Sequence, residues 1–312
     1  MNKILLFALL LFPLSTIAGG KPCSGKKGGI SHCEGSQFVC NDGSSSKSTK
    51  ACSSYITGNS TQKAAPVATA PESIEPITAP ISQDSSEITK LSDNILKLDY
   101  SGFTVWLDCS KRAPIKFQYV AQHDTGSFKR YDKFSLDPKV PKDCQQYSSK
   151  AYGLKYDRGH QVPANHMDYS ALAIKQTNYM TNILPQAANM NRGAWLQTEK
   201  ITECYRDITE LLVIGGVIWG NDEADDYFLQ SHGVKTPDAY WKVIIRGTGQ
   251  DERAIAWIVP NSQDATAKRL DGYLVSVDDI ENATGEKIPV ADYAKHDKLN
   301  ASWTIPVGCE MS

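Results

Sequence analysis

The sequence predicts a mixed α/β (α+β) domain preceded by a small disulfide-rich segment. Three observations carry that expectation. Short runs rich in Val, Ile, Phe, Tyr and Trp recur between Leu98 and Val277, as strands do. One stretch, from about Asn191 to Glu210, sets Trp195, Thr198, Ile201, Tyr205 and Ile208 at three- and four-residue steps, as an amphipathic helix does. Eight cysteines fall into two sets of four, separated by a segment of Pro, Ser, Thr and Ala.

Composition narrows the class. The chain has 312 residues, 41% hydrophobic and 22% charged, which suits one large folded domain with appendages. Net charge is −2, which argues against a passive nucleic-acid-coating protein. It leaves room for an enzyme that needs positive charge only at one site.

Residues 1–18 have the form of a secretory leader. Lys3 is followed by the apolar run Ile4 to Leu14, and Thr16-Ile17-Ala18 supplies a small-residue cleavage site. The run is too short for a comfortable membrane span, and no membrane span is expected in the mature chain. Residues 19–53 hold Cys23, Cys33, Cys40 and Cys52, too little chain for a core without cross-links. No CxxC spacing occurs, and an exported chain favours disulfides over zinc. Residues 54–92 read as a disordered linker, with Pro66, Pro71, Pro76 and Pro80 spaced along it. The folded domain is expected over 93–312.

Within that domain, Leu98 to Leu107 and Ile115 to Ala121 have strand character, and Phe128 to Lys150 reads as a polar loop. A short helix is expected within Asn165 to Tyr179. Thr181 to Gln186 is extended, because Pro185 bars helical angles at Leu184. Leu211 to Trp219 reads as a buried strand. Tyr240 to Arg246 and Ala254 to Val259 form a hairpin, and Tyr273 to Val277 and Asp278 to Thr284 a strand and a helix. The separation of the cysteines predicts pairing within each set of four. Three pairings are open in each; Cys109–Cys144 and Cys204–Cys309 is the one adopted for the second set.

Two stretches concentrate chemistry: Tyr156-Asp157-Arg158-Gly159-His160-Gln161, and about thirty residues on, Asn182-Ile183-Leu184-Pro185-Gln186 followed by Asn191-Arg192-Gly193-Ala194-Trp195 and Glu199. A histidine takes a proton near neutral pH, and an arginine holds a phosphate with a rigid fork of donors. An amide oxygen and a carboxylate suit a hard cation. Asn191, Trp195 and Glu199, four apart, are expected to form one stripe of the helix. Asp157 would repel a phosphate and instead orients its loop by hydrogen bonds. Gly159 is expected in a backbone conformation barred to other residues.

In this order and spacing, Asp-Arg-Gly-His, Asn-x-x-Pro-Gln and Asn-x-Gly-Ala-Trp-x-x-x-Glu resemble the DNA/RNA non-specific endonuclease family with its ββα-metal fold. The resemblance covers about Leu98 to Ile288. It implies a mostly antiparallel sheet flanked by helices, DNA and RNA as substrates, Mg²⁺ as cofactor with Mn²⁺ as a substitute, and 5′-phosphate products. It admits a homodimer. His160 would be the general base, with the rate rising through pH about 6–7, where an ordinary imidazole loses its proton. Arg158 would contact phosphate, Asn191 would be the direct protein ligand of the ion, and Glu199 would bond to the ion's water shell. Asn182 and Gln186 would shape the site, and Trp195 belongs to the core. One departure stands out: Glu203 occupies a position where family members often carry arginine, so either Lys200 or Arg206 would substitute, or the transition-state charge would rest more on Arg158. A secreted or periplasmic endonuclease follows. The rivals are a non-catalytic binding or adhesion module and a nuclease toxin.

Overall fold

The computed structural model describes residues 86–221 and 223–309, together with residues 23, 27, 30–34, 37–40 and 44–46. The leader and most of the linker lie outside the described residues. The chain divides into two compact units, Met1–Thr78 and Ala79–Ser312. In the first, β1 (Ile30–Glu34) pairs antiparallel with β2 (Gln37–Cys40), and a disulfide joins Cys23 to Cys40. Cys23, Phe38 and Cys40 are buried together, a core so small that a cross-link must hold it.

The second unit is built on an eight-stranded sheet. Its strands are β3 (Glu87–Lys90), β4 (Ile95–Tyr100), β5 (Phe103–Asp108), β6 (Ala113–Ala121), β9 (Leu211–Ile218), β10 (Ala239–Arg246), β11 (Arg253–Pro260) and β12 (Leu274–Val275), side by side in that order. Every neighbouring pair is antiparallel. The missing numbers, β7 (Tyr156–His160) and β8 (Ile183–Ala187), form a separate antiparallel ribbon.

The helices are α1 (Ala171–Thr177), α2 (Ala188–Met190), α3 (Leu196–Arg206), α4 (Leu229–His232), α5 (Val277–Thr284) and α6 (Asp292–Lys295). Side chains alternate across a strand, so β10 serves two cores. Tyr240 and Ile244 join Trp195 and Ile201 in one cluster; Trp241, Val243 and Ile245 join Val277, Ile280 and Ala294 in the other. Helix α3 thus covers one face and α5 and α6 the other. Among the described residues, no helix is long and apolar enough to cross a membrane.

Several expectations change. The linker does not run to Ser92, because Glu87–Lys90 pairs with β4 as the sheet's edge. Only Ile88 packs against the core; the other three residues are exposed, so no alternating hydrophobic pattern announces the strand. Leu98 to Leu107 is two strands, which turn at Ser101-Gly102, where Gly102 takes φ +88°. The helix expected to reach Glu210 stops at Arg206. Leu211 is already paired with Ala121 and Arg246, so the chain must leave the helix first, and Ile208 is left exposed.

Disulfides join Cys109 to Cys144 and Cys204 to Cys309; the second spans 105 residues and ties α3 to the C-terminal tail. Cys33 and Cys52 have side chains outside the described part. Replacing Cys204 and Cys309 by Ala is expected to cost about 2–5 kcal/mol of stability. A non-reducing thermal melt unchanged from the parent protein would show that the bridge constrains little.

Candidate active site

The β7–β8 ribbon and the chain leading into α3 converge on one cavity of about 260 Å³. It is lined by Arg130, Arg158, His160, Asn191, Glu199 and Lys200, among others. Ribbon register places Asp157 opposite Gln186 and His160 opposite Ile183. Gly159 does not have a positive φ. It is required for space: a Cβ there would lie 2.2 Å from Gln186, whose buried amide crosses over it. Asn182 pins the next turn. Its amide donates to the carbonyls of Val162 and Thr177, and its oxygen accepts from the Val162 amide.

His160 is buried, and its Nε2 meets Asn178 Oδ1 at 2.8 Å. Asn178 Nδ2 donates to the carbonyls of Tyr131 and Lys133, which fixes the amide's orientation. The oxygen must therefore accept from His160 Nε2–H, leaving Nδ1 as the basic nitrogen. Burial drives the His160 pKa down to about 4. The bond to Asn178 opposes this, and the charges of Arg130 and Arg158 add to it. The imidazole is neutral across the physiological range, not titrating at 6–7 as an exposed ring would.

Asp157 clasps the helix side of the site. It accepts Asn191 Nδ2 at 2.9 Å and both Nε and Nη2 of Arg192 at 2.8 and 2.7 Å. With its nitrogen committed to a carboxylate, Asn191 keeps its amide oxygen for another partner. Asn191 opens a π-turn, Asn191–Trp195, in which Gly193 departs from helical angles (φ −114°, ψ −106°). The kink at Gly193 breaks the expected stripe. Trp195 turns inward against Tyr240, while Leu196 and Glu199 line the cavity with Asn191.

Glu199 is half-buried, and burial raises its pKa, opposed by the charges of Lys242 and Arg130. Lys242 projects from β10 beneath the helix, fully buried. Its Nζ donates to Thr198 Oγ1 at 2.7 Å and lies 3.8 Å from the Trp195 ring centroid. Burial lowers its pKa to about 8.

The cationic wall differs from expectation. Arg158 lines the cavity, stacks on Phe134 at 3.9 Å and donates to the Ser149 carbonyl. Arg206 does not substitute for the arginine that Glu203 replaces: it is buried and paired with Glu203 and Asp124. Lys200 does line the cavity. Arg130 and Asn178 were missed. Arg130 sits in a loop without periodicity, and Asn178 looks like an ordinary helix C-cap, which it also is. Only the aromatic-basic string Phe128-Lys129-Arg130-Tyr131 offered a signal.

One cavity thus gathers an imidazole, arginines, an amide and a carboxylate. The chain belongs to the DNA/RNA non-specific endonuclease family, which matches residues 84–297; residues 23–54 match a second family, YdcA. It is 26% identical to the mitochondrial nuclease EXOG of Homo sapiens over 206 residues, 60% of this chain and 55% of that protein. It is 30% identical to the nuclease of Serratia marcescens over 183 residues, 54% of this chain and 66% of that one. The chain thus spans little more than half the length of its mitochondrial relatives. A crystal structure of an EndoG/EndoGI complex shares the fold, with TM-score 0.50, 19% identity and coverage of 64% of this chain and 86% of that one.

A ¹⁵N-resolved titration is expected to find His160 as the Nε2–H tautomer with a midpoint near 4. Asn178→Ala should lower the midpoint further, since the bond it removes favours the charged ring. An Nδ1–H tautomer at neutral pH would contradict the assignment.

Proposed function

We propose that the chain is a secreted or periplasmic, metal-dependent endonuclease that hydrolyses phosphodiester bonds of DNA and RNA with little sequence preference. One observation supports it above the rest. A single cavity gathers a neutral imidazole of fixed tautomer, Arg130, Arg158 and Arg192, and an amide whose nitrogen is committed to a carboxylate. Pure binding needs no such imidazole. Export is supported by the leader-like residues 1–18 and by the disulfides. The activity is assigned to the unit beginning at Ala79.

The donor set fits a hard divalent ion. Among the described residues, no group of three or more His, Cys, Asp or Glu could hold a metal, so a soft or fully protein-caged ion is not indicated. One amide oxygen, with Glu199 on the same wall, suits Mg²⁺, which retains most of its waters. When bound, Mg²⁺ supplies Lewis-acid stabilisation of charge on the phosphate and the leaving oxygen.

The chain's own residues do the rest. Arg130 and Arg158 hold the phosphate at the cavity. His160 Nδ1 accepts a proton from the attacking water, and Asn178 steadies the imidazolium formed. Attack in line with the 3′-oxygen leaves phosphate on the 5′ end. Glu199 would accept hydrogen bonds from the waters of a bound ion, whose charge would favour the ionised carboxylate against burial.

His160→Ala is expected to lower turnover by roughly 10²–10⁴ while leaving DNA affinity in EDTA near that of the parent. The parent's rate should rise with pH as the imidazole loses its proton and then level off. A bound phosphate offsets the two arginine charges that depress His160. The acidic limb of kcat should therefore lie at higher pH than that of kcat/KM. Coincident limbs, or a His160→Ala protein cutting at the parent rate, would refute His160 as base.

Asn191→Ala and Asp157→Ala should each raise the Mg²⁺ concentration needed for half-maximal rate, the first by removing the donor oxygen and the second by freeing the amide to rotate. Magnesium titrations of both variants that superimpose on the parent's would exclude this ion site.

A further inference from the structure

A second site lies at the far end of α3. A cleft of about 580 Å³ opens between the β10–β11 hairpin, α6 and the C-terminal tail, lined by Arg246, Arg253, Tyr293, Asp297 and Trp303, among others. The Arg246 guanidinium lies 4.7 Å from the Trp303 ring centroid and 5.4 Å from that of Tyr205. The two rings are themselves 5.0 Å apart. Among the described residues Arg246 meets no carboxylate and no carbonyl, so its donors are uncommitted while its plane is held.

The walls are fixed before any ligand arrives. Tyr293 donates to the carbonyls of Gly249 and Glu252, and Arg253 donates to those of Gln250 and Glu252. Tyr205 donates to the Thr304 carbonyl, and the Cys204–Cys309 bridge anchors the tail that carries Trp303. A structural cation–π stack explains Arg246 and Trp303 alone. It does not explain why a second arginine and a second aromatic side chain border the same open cleft.

We infer that this cleft is a second nucleic-acid-binding site, for single strands, outside the hydrolytic cavity. The inference rests on the nuclease reading. Phosphates take the donors of Arg246 and Arg253, and an unpaired base lies against Trp303 or Tyr293. Duplex bases are already stacked and cannot reach those rings. Asp297 repels phosphate and so keeps the backbone to the arginine side, while its oxygens accept from the amino groups of a base. Asn191 lies before the kinked start of α3 and Tyr205 in its last turn, so only a strand well over four nucleotides long can engage both sites. Trp303 lies beyond residue 297, where the endonuclease family match ends. The tail therefore adds the site to the family domain.

The test uses the full chain in EDTA, where nothing is cut, and a fluorescent oligothymidylate of about 20 nucleotides, longer than the usual single-strand footprint. Arg246→Ala with Arg253→Ala is expected to weaken binding at least about tenfold and to reduce the salt slope by about 1.4, or 0.7 for each phosphate released. Trp303→Ala should weaken single-strand binding but not duplex binding. Arg253→Ser is exposed, so it reads the charge contribution even if Arg246 variants melt early. With Mg²⁺, a substrate of about four nucleotides, too short to span both sites, should be cut at the parent rate by these variants. The KM for long strands should rise. Unchanged affinity and slope in folded Arg246→Ala and Arg253→Ser proteins would overturn the inference, as would equal losses on duplex. Failure of the parent protein to cut either substrate would instead overturn the nuclease reading.

Discussion

The Asp157 carboxylate joins the two halves of the site. Its ribbon carries Arg158 and His160; its hydrogen-bond partners, Asn191 and Arg192, begin the helical segment. The β7–β8 pairing ends with Tyr156 opposite Ala187, and the Asn191–Trp195 segment beyond it is kinked at Gly193. Three charge-assisted donors on one carboxylate therefore set the spacing between imidazole and amide. The same bonds orient the amide: a carboxylate can only accept, so Asn191 must present nitrogen to it and oxygen elsewhere. One interaction fixes both a distance and a donor type.

The second constraint is electrostatic, and it runs through Arg130 and Arg158. Both lower the basicity of the buried imidazole in the free protein. A base with a pKa near 4 is always ready but weak. In the proposed mechanism a phosphate on the arginines offsets their share of the depression, while burial, its larger cause, remains. Basicity then appears where it is used. Lys242 has a related place beneath α3. Buried under Trp195 and bonded to Thr198, it puts a positive charge behind the helix face that carries Glu199, opposing the burial that would protonate that carboxylate.

Much of this was legible in the sequence, for reasons that differ by element. Strands of β4, β5, β9, β10 and β11 bury one or both faces, so their composition announces them. Edge strand β3 packs only Ile88 against the core and otherwise relies on backbone pairing, which any sequence can make. The motif residues were legible because their types and gaps recur together. Arg130 and Asn178 were not, because their value is spatial: one reaches the cavity from a loop, the other orients a ring 18 positions earlier. The stripe through Trp195 failed for a local reason. Periodicity assumes an unbroken helix of 3.6 residues per turn, and the kink at Gly193 is one that no hydrophobic pattern reveals. Gly159 was singled out for its backbone, yet it serves by lacking a side chain under Gln186.

A chain of net charge −2 must handle a polyanion by placement. Its paired acids show how. Asp157 is consumed by Asn191 and Arg192, and Glu203 by Arg206 and His166. Glu203 is thus held by buried bases and Asp157 by the exposed Arg192, while Arg130, Arg158, Arg192 and Lys200 line the cavity. Glu203 in an arginine's position fits this scheme. Its charge is held by buried partners, so it adds little repulsion, and it adds none of the grip that a third arginine would give. Phosphate attraction at the cavity is therefore local and screened within about 8–10 Å at physiological salt. That suits product release, which a strongly basic surface would slow. It also leaves a long substrate poorly anchored beyond the cavity, a deficit that a separate arginine–aromatic cleft on the C-terminal tail is placed to meet.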